Sequence, residues 1–251
     1  MTIHTLSGKN VLIAGGGKNL GGLIARQAAE AGANVAIHYN SASSRAEAEE
    51  TLAAVQAAGA KGVLLSGDLT QPENVTRLFA DAADGLGPID VAVNTVGKVL
   101  RKPIVETTED EYDAMFDINA KAAYFFLKEA GQHLADGGKA ITIVTSLLGA
   151  FTDGYSTYAG GKSPVEHFTR AAAKEFAPRG ISVTAIAPGP MDTPFFYGQE
   201  TPERVAFHKS QAMGNQLTQI EDIAPIVRFL ATDGWWITGQ TIFANGGYTT
   251  R

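Results

Sequence analysis

Short, continuous apolar runs alternate along the chain with longer stretches in which apolar residues recur at helical spacing. The apolar runs predict seven β-strands, at 11–14, 35–39, 63–66, 89–93, 140–145, 181–187 and 241–244. The intervening periodicity predicts helices at 20–31, 44–58, 72–83, 108–134, 156–176 and 220–230. Because strands that are apolar throughout must be covered on both faces, this alternation predicts an α/β protein with a seven-stranded parallel sheet and helices on both faces.

No linker, repeat or change of composition divides the chain, so we expect a single domain over residues 1–251. The longest stretch without a strand, 192–215, contains Phe195, Phe196 and Tyr197. A long segment with its own apolar residues is typical of a lid over a binding site. We therefore predict a substrate lid at 192–215.

Composition and charge exclude several classes of protein. The net charge is -6, so there is no basic excess to bind nucleic acid or an anionic membrane surface. There is no cysteine, which excludes disulfides and thiolate sites, and the five histidines form no cluster that predicts a metal site. No apolar run approaches the roughly 20 residues that span a bilayer, and the first residues lack the pattern of a signal peptide. We expect a cytoplasmic protein.

The first predicted strand leads into a glycine-rich turn and then a helix. Glycines at such a turn allow the backbone to approach a pyrophosphate, which the amides and dipole of the helix N-terminus attract. This context predicts a dinucleotide site, in a doubly wound sheet of the Rossmann type. The predicted contacts in the turn are Gly15, Gly17, Lys18, Asn19, Leu20 and Gly21.

The end of the second predicted strand bears on the choice of cofactor. Enzymes that use NAD carry an acidic residue there, which binds the 2′-hydroxyl of the ribose. Here Tyr39, Asn40 and Ser41 follow the strand, and no acidic residue occurs before position 47. Lys18 and Arg45 are instead candidates to face a 2′-phosphate, which favours NADP(H) over NAD(H). The alternative is that both are solvated surface charges.

Tyr158 and Lys162 lie one helical turn apart on the same face of a predicted helix. A neighbouring ammonium group favours the phenolate and is expected to lower the pKa of Tyr158. A phenol of this kind can exchange a proton with a carbonyl or alcohol oxygen. Ser146 follows an apolar strand, at the sheet edge where open α/β sheets bind their ligands, and Asn119 lies inside an apolar helix that does not favour it.

These motifs, in this order, resemble those of the short-chain dehydrogenase/reductase family over nearly the whole chain. The resemblance implies that Ser146, Tyr158, Lys162 and Asn119 are catalytic. It implies further contacts with the cofactor, at Asp68 and Leu69 for adenine, at Asn94 and Gly97 after the fourth strand, and at Pro188, Gly189, Met191 and Thr193 around the nicotinamide.

Two departures from the family pattern have structural consequences. Asn19 replaces a glycine of the turn. Ser146 lies 12 residues before Tyr158, one fewer than the family pattern, so we expect a shortened loop; Thr145, at 13 residues, is a rival for the same hydroxyl role.

The resemblance implies an NADP(H)-dependent oxidoreductase that interconverts a ketone and a secondary alcohol, with Tyr158 as general acid and base. Ser146 would stabilise the substrate oxygen, Lys162 would hold the nicotinamide ribose, and Asn119 would order a water molecule. A 3-oxoacyl carrier-protein reductase is an alternative, for which Lys98, Arg101 and Lys102 would form a basic patch. Lesser alternatives are an enoyl reductase that uses Tyr155 and a non-catalytic protein that senses NADP.

Aromatic and apolar residues around the predicted site suggest the kind of substrate. Phe195, Phe196 and Tyr197, with Leu147, Phe151 and Tyr155, indicate an apolar or aromatic carbonyl compound, or else ordinary packing of the lid. The resemblance also implies a homo-oligomer, a tetramer in relatives.

Overall fold

The computed structural model describes residues 4–150 and 152–250, and its centre is one seven-stranded sheet. The strands are β1 (Asn10–Ala14), β2 (Asn34–Tyr39), β3 (Gly62–Ser66), β4 (Ile89–Asn94), β5 (Leu134–Ile143), β6 (Ser182–Pro188) and β7 (Thr241–Ala244). Every neighbouring pair is parallel, in the order β3-β2-β1-β4-β5-β6-β7. The predicted fold class is confirmed.

Helices connect the strands and cover both faces of the sheet. They are α1 (Asn19–Glu30), α2 (Arg45–Ala57), α3 (Pro72–Leu86), α4 (Glu109–Phe116), α5 (Ala122–His133), α6 (Ser156–Glu175), α7 (Pro194–Tyr197), α8 (Pro202–Ser210) and α9 (Ile220–Ala231). Within residues 4–150 and 152–250, none of them has both the length and the apolar character that a membrane span requires.

Two apolar layers form because successive side chains of a strand point to opposite faces. Ile13 of β1 faces a cluster that includes residues of α1 and α9, such as Ile24 and Ile223. Leu12, next to it, faces a cluster that includes Phe79 of α3 and Phe126 of α5. Both faces of the sheet are buried, which explains why the strands are apolar throughout. Each fully buried side chain of this size stabilises the fold by roughly 1.5–3 kcal/mol.

The strand order creates a crevice at the middle of the sheet. From β1 the chain winds outward through β2 to β3, and it then returns to place β4 on the other side of β1. The connections that follow β1 and β4 therefore diverge, and the carboxyl ends of these two strands border an open crevice. Ligands of open α/β sheets bind at this position, and the glycine-rich turn lies there.

The predicted helix at 108–134 is not continuous, which is the main error in the predicted elements. α4 and α5 are separated by a π-helical segment, Asp117–Lys121, that contains Asn119. A π-helical turn holds one extra residue, and such turns are frequent at functional sites. The apolar stripe continues across the insertion, so periodicity could not reveal it.

The segment predicted to be a lid, 192–215, forms α7, α8 and a 3-10 turn at Met213–Asn215. A single parallel bridge between Met191 and Thr218 closes its base. Phe196 is buried, whereas Phe195 and Tyr197 are partly exposed. Phe151, which the sequence placed with these aromatic residues, lies outside the described residues.

Candidate active site

A cleft of about 730 Å³ opens at the carboxyl ends of the central strands and contains most of the predicted cofactor contacts. The predicted residues that line it are Gly15, Gly17, Lys18, Asn19, Leu20, Gly21, Tyr39, Asn40, Asp68, Leu69, Gly97, Tyr158, Lys162, Met191 and Thr193. Ser41, Arg45 and Asn94 were also predicted to contact the cofactor but do not line the cleft.

The glycine-rich turn requires backbone conformations that few residues adopt. Gly15 has a φ of 76° and Asn19 a φ of 48°. Asparagine tolerates this left-handed region better than most side chains, so the replacement of the usual glycine keeps the turn. At Gly21 an added Cβ would lie 2.1 Å from the carbonyl oxygen of Gly15, because α1 begins directly against the turn.

At the end of β2, the two predicted cationic contacts differ. Lys18 lines the cleft and forms a half-exposed ion pair with Glu47, at 2.8 Å. Arg45 instead pairs with Glu49 one turn along α2, at 2.7 Å, and lies outside the cleft. The helical spacing of Arg45 and Glu49 explains this, since residues i and i+4 face each other. Ser44, which was not predicted, lines the cleft in this region.

His38 is a site residue that the sequence reasoning missed. It lies buried between the glycine turn and the segment after β3. Its Nδ1 accepts a hydrogen bond from the Gly15 amide at 3.2 Å, and its Nε2 donates to the Gly67 carbonyl at 2.8 Å. Burial lowers the pKa of His38, which keeps the ring neutral and fits this tautomer. A polar residue inside an apolar strand was the available signal.

Lys162 is buried at the floor of the cleft. Its Nζ donates hydrogen bonds to the carbonyl oxygens of Val96, at 3.1 Å, and Ile143, at 3.0 Å. Burial lowers the pKa of Lys162 to about 8. A Cβ at Gly97 would lie 3.0 Å from this Nζ, so the chain after β4 needs a glycine to pass the ammonium group. Asn94 stabilises the same turn, because its side-chain oxygen accepts a hydrogen bond from the Val96 amide.

Asn119 is fully buried and uses its side chain to fix the loop after β4. Its amide nitrogen donates to the carbonyl oxygens of Lys98, at 2.8 Å, and Met115, at 3.0 Å. Its amide oxygen accepts from the backbone N–H of Lys98, at 3.2 Å. The π-helical segment places Asn119 where it can bridge Met115 of α4 to this loop, which accounts for a polar residue within an apolar stretch.

Tyr158 lies between this cleft and a second, smaller cavity and lines both. Burial raises the pKa of Tyr158 to about 12, and a hydrogen bond with the Thr145 hydroxyl opposes the shift. The predicted lowering by Lys162 is therefore wrong for this structure. The ammonium group is bound by two backbone carbonyl oxygens, and desolvation of the phenol dominates.

Thr145 and Ser146 both line the smaller cavity beside Tyr158, and it is the Thr145 hydroxyl that lowers the pKa of the phenol. Ser146 is 1% exposed; its Oγ donates to the Ala187 carbonyl at 2.9 Å and accepts from the Asn245 side chain at 3.0 Å. Ser146 lines the same cavity as Tyr158, so its catalytic role stays a prediction beside that of its rival Thr145. Counted from Thr145, the segment that leads to Tyr158 has the 13-residue spacing of the family pattern.

The second cavity extends from Tyr158 to the segment predicted to be the lid. It is lined by Val99, Val144, Thr145, Ser146, Leu147, Tyr155, Tyr158, Pro188, Gly189, Pro190, Met191, Thr193, Phe195, Phe196, Gln199, His208 and Tyr248. Pro188 and Gly189, predicted to contact the cofactor, lie here and not in the larger cleft. Tyr197 does not line the cavity; its hydroxyl donates to Asp192 at 2.7 Å.

The basic patch considered for an acidic carrier protein is largely neutralised. Lys102 forms an ion pair with Glu111 at 2.8 Å, and Arg101 pairs with Asp153 at 3.1 Å. Lys98 lines the larger cleft. Lys102 and Arg101 therefore do not present a free cationic surface.

Comparisons with known proteins agree with this geometry. A family model described as enoyl-(acyl carrier protein) reductase matches residues 15–249. A hydroxynaphthalene reductase-like protein of Metarhizium brunneum is 33% identical over 264 aligned residues, which cover 99% of this chain and 98% of the relative. The chain belongs to the short-chain dehydrogenase/reductase family of oxidoreductases.

Two solved structures are similar to the chain over almost its full length. A Burkholderia cenocepacia structure with bound NADP is 61% identical, with a TM-score of 0.98, and the match covers 100% of this chain and 97% of the other. A blue fluorescent protein from a metagenomic library, in complex with NADPH, is 32% identical with a TM-score of 0.93, and the match covers 98% and 100%.

Proposed function

We propose that this oxidoreductase interconverts a ketone and a secondary alcohol with NADP(H), and that Tyr158 transfers the proton. The observation that carries the proposal is the position of Tyr158, which lines both the large cleft and the smaller cavity. A proton donor shared by a dinucleotide site and an apolar substrate site is what carbonyl reduction requires. The bound nicotinamide supplies or accepts the hydride.

The pKa of Tyr158, near 12, keeps the phenol protonated at neutral pH and able to donate to a developing alkoxide. In this proposal the Thr145 hydroxyl, hydrogen-bonded to the phenol, stabilises the same oxygen in the role first given to Ser146. Lys162 binds the nicotinamide ribose, and Asn119 fixes the Val96–Lys98 segment through the Lys98 backbone.

The choice of NADP(H) rests on the cleft and on the two similar structures that hold NADP and NADPH. Lys18 is the cation that lines the cleft near the end of β2, where Asn40 and Ser44 supply further polar groups. Arg45, which pairs with Glu49, is left out of this assignment.

The substrate class follows from the walls of the smaller cavity. Val99, Leu147, Phe195 and Phe196 make it mainly apolar. Its volume is about 70 Å³, so a bulky substrate requires the lid segment to move. The apolar and aromatic walls favour a cyclic or aromatic ketone, admitted when the lid segment moves, and the name of the hydroxynaphthalene reductase-like relative supports this choice.

Reduction of an enoyl thioester is the second candidate, because the matching family model carries that description. It would use Tyr155 as the proton donor. The Tyr155 hydroxyl already donates to the buried Glu200 carboxylate, and its pKa is raised by burial and by that contact. The phenolic proton is therefore held away from a substrate, and ketone reduction is favoured.

The test is a panel of ketones, 3-oxoacyl thioesters and enoyl thioesters, assayed with NADPH and with NADH. We expect turnover of cyclic or aromatic ketones, with NADPH preferred. Tyr158→Phe should lower kcat by a hundred-fold to ten-thousand-fold, the usual contribution of general acid catalysis, whereas Tyr124→Phe, at an exposed tyrosine of α5, should not change it. Near-normal turnover by Tyr158→Phe would contradict the assignment, and tight NADPH binding without turnover of any compound would indicate a sensor.

A further inference from the structure

Glu200 is a fully buried carboxylate in the loop between α7 and α8, close to the smaller cavity. It accepts hydrogen bonds from the Tyr155 hydroxyl and from His208 Nε2, the latter at 3.2 Å. The guanidinium Nε of Arg101 lies 3.9 Å from its second oxygen. A buried carboxylate loses its hydration and is retained only with such partners, so a position needed for packing alone would favour an apolar residue.

The groups that Glu200 holds face the substrate side of the site. Tyr155, His208 and Tyr248 all line the smaller cavity, as do Thr145 and Tyr158. Glu200 does not line the cavity itself and therefore lies behind this wall. The cavity thus has apolar walls, the reactive pair Thr145 and Tyr158, and a separate polar region that the proposed reaction does not use.

The direction of each hydrogen bond in this polar region follows from the tautomer of His208. An ionised carboxylate only accepts, so His208 Nε2 and the Tyr155 hydroxyl both donate to Glu200. In the tautomer that carries its proton on Nε2, Nδ1 accepts from the Tyr248 hydroxyl, 3.0 Å away. Burial raises the pKa of Tyr155 and of Tyr248, which keeps both phenols protonated as these bonds require.

With this tautomer, two phenolic oxygens at the cavity wall keep lone pairs and have no free hydrogen. We propose that Tyr155 and Tyr248 form an acceptor subsite that binds a hydroxyl group of the substrate, distinct from the reacting carbonyl, and that Glu200 and His208 position these phenols. The preferred substrates are then hydroxy-ketones with an apolar ring. The inference rests on the proposed ketone reduction and adds the class of substrate.

The experiment compares 1-tetralone with its ring-hydroxylated isomers, as substrates with NADPH and as ligands of the NADP⁺-loaded protein by calorimetry. For at least one isomer we expect both kcat/KM and affinity to exceed the 1-tetralone values by ten-fold or more. Tyr248→Phe should reduce this ratio to below three, because the substrate hydroxyl loses an acceptor. Tyr197→Phe, which removes a lid hydroxyl outside the cavity, is the matched control and should keep the ratio.

Glu200→Gln tests the positioning role. A carboxamide donates as well as accepts, so it reverses part of the hydrogen-bond chain and should also reduce the hydroxyl ratio. A purely structural effect would lower the melting temperature, or would lower kcat equally for 1-tetralone and its hydroxylated isomer. In either case the hydroxyl ratio would not change. Arg204→Gln, which removes a partly exposed partner of Asp153 near the same segment, controls for nonspecific changes of the loop.

The outcomes separate this inference from the proposed function. Turnover of ketones with no hydroxyl preference, or with a preference that Tyr248→Phe retains, would overturn the subsite and leave ketone reduction in place. Hydroxyl-dependent affinity that Tyr248→Phe abolishes, without turnover of any ketone, would support the subsite and overturn the proposed reaction.

Discussion

Thr145 and Ser146 are adjacent hydroxyl residues, yet they have different surroundings. Thr145 bonds the Tyr158 phenol, whereas Ser146 joins β6 to the C-terminal segment through Ala187 and Asn245. The sequence favoured Ser146 because serine is the usual residue of the family motif. The spacing to Tyr158 favours Thr145, and the effect of the Thr145 hydroxyl on the pKa of the phenol supports the same choice.

Removing each hydroxyl should therefore have a different effect. Thr145→Ala should lower kcat by on the order of a hundred-fold, as expected for loss of one donor to a developing oxyanion, and Thr145→Ser should retain most activity. Ser146→Ala leaves buried polar groups unpaired and should lower the free energy of unfolding by about 1–3 kcal/mol. Single-turnover kinetics and urea denaturation measure the two effects. A larger loss of kcat in Ser146→Ala than in Thr145→Ala would contradict the role proposed for Thr145.

Lys162 should make stability depend on pH in a defined range. Its pKa in the folded protein, about 8, is below the unfolded value of 10.5. The buried ammonium group therefore costs stability below pH 8, and this cost is relieved as the pH rises from about 8 to 10.5, where the unfolded chain binds more protons.

The measurement is urea denaturation of the wild type and Lys162→Met at pH 7.5, 9 and 10.5. Across this range the free energy of unfolding of the wild type should rise by about 3 kcal/mol relative to that of the variant, because one pKa unit corresponds to about 1.36 kcal/mol. Other groups titrate in both proteins and cancel in the comparison. A difference that does not change with pH would show that Lys162 is not desolvated.

At the scale of elements, the turn between β1 and α1 shows how a departure from the family motif is accommodated. Asn19 has a φ of 48°, in the region where a Cβ is disfavoured and where glycine is least strained. Asn19→Gly should keep the turn, while Asn19→Val should weaken it, because a β-branched residue resists this conformation.

We expect Asn19→Val to bind NADPH at least ten-fold more weakly and to lose about 1–2 kcal/mol of stability, the cost of the left-handed conformation. Fluorescence titration with NADPH and thermal unfolding provide the measurements. Asn215, the other described asparagine with positive φ, lies away from the cleft, and Asn215→Val is the control for strain alone. Equal NADPH affinity in Asn19→Val and Asn19→Gly would exclude a role for the turn geometry.

The elements also show where periodicity is informative. The seven strands and the helices α1, α2, α3, α6 and α9 agree with the predicted elements within a few residues, except that α3 continues to Leu86 and β5 begins earlier, at Leu134. The early part of β5 contains Asp136, Gly137, Gly138 and Lys139, so no apolar run marks it. The π-helical segment was missed because the apolar stripe continues across it.

For the whole molecule, the exposed apolar side chains bear on the predicted oligomer. Tyr112 of α4 and Tyr124 of α5 are 47% and 51% exposed, and Trp236 near β7 is 79% exposed. Apolar surface of this kind marks candidate contacts between subunits. The tetramer stays a prediction from the family resemblance.

Light scattering after size exclusion should give about four times the 26.4 kDa of one chain. Replacing Tyr124 by Glu places a charge on the exposed face of α5, and burying that charge in an interface would be costly. We therefore expect Tyr124→Glu to reduce the mass to that of a dimer or monomer, and Lys61→Glu, at a distant surface position, to leave it unchanged. A monomeric wild type would contradict the prediction.

The sequence by itself determined the parallel sheet, the glycine turn and the placement of Tyr158 and Lys162 one helical turn apart, because these features follow from the periodicity and the order of residues along the chain. Tertiary structure alone decided which hydroxyl meets the phenol, which cation enters the cleft and what surrounds Glu200. Those outcomes depend on pairs such as Tyr155 with Glu200 and Lys162 with Val96, which lie 45 and 66 residues apart. Desolvation likewise has no local signature, so the rise in the pKa of Tyr158 could not be predicted from the sequence.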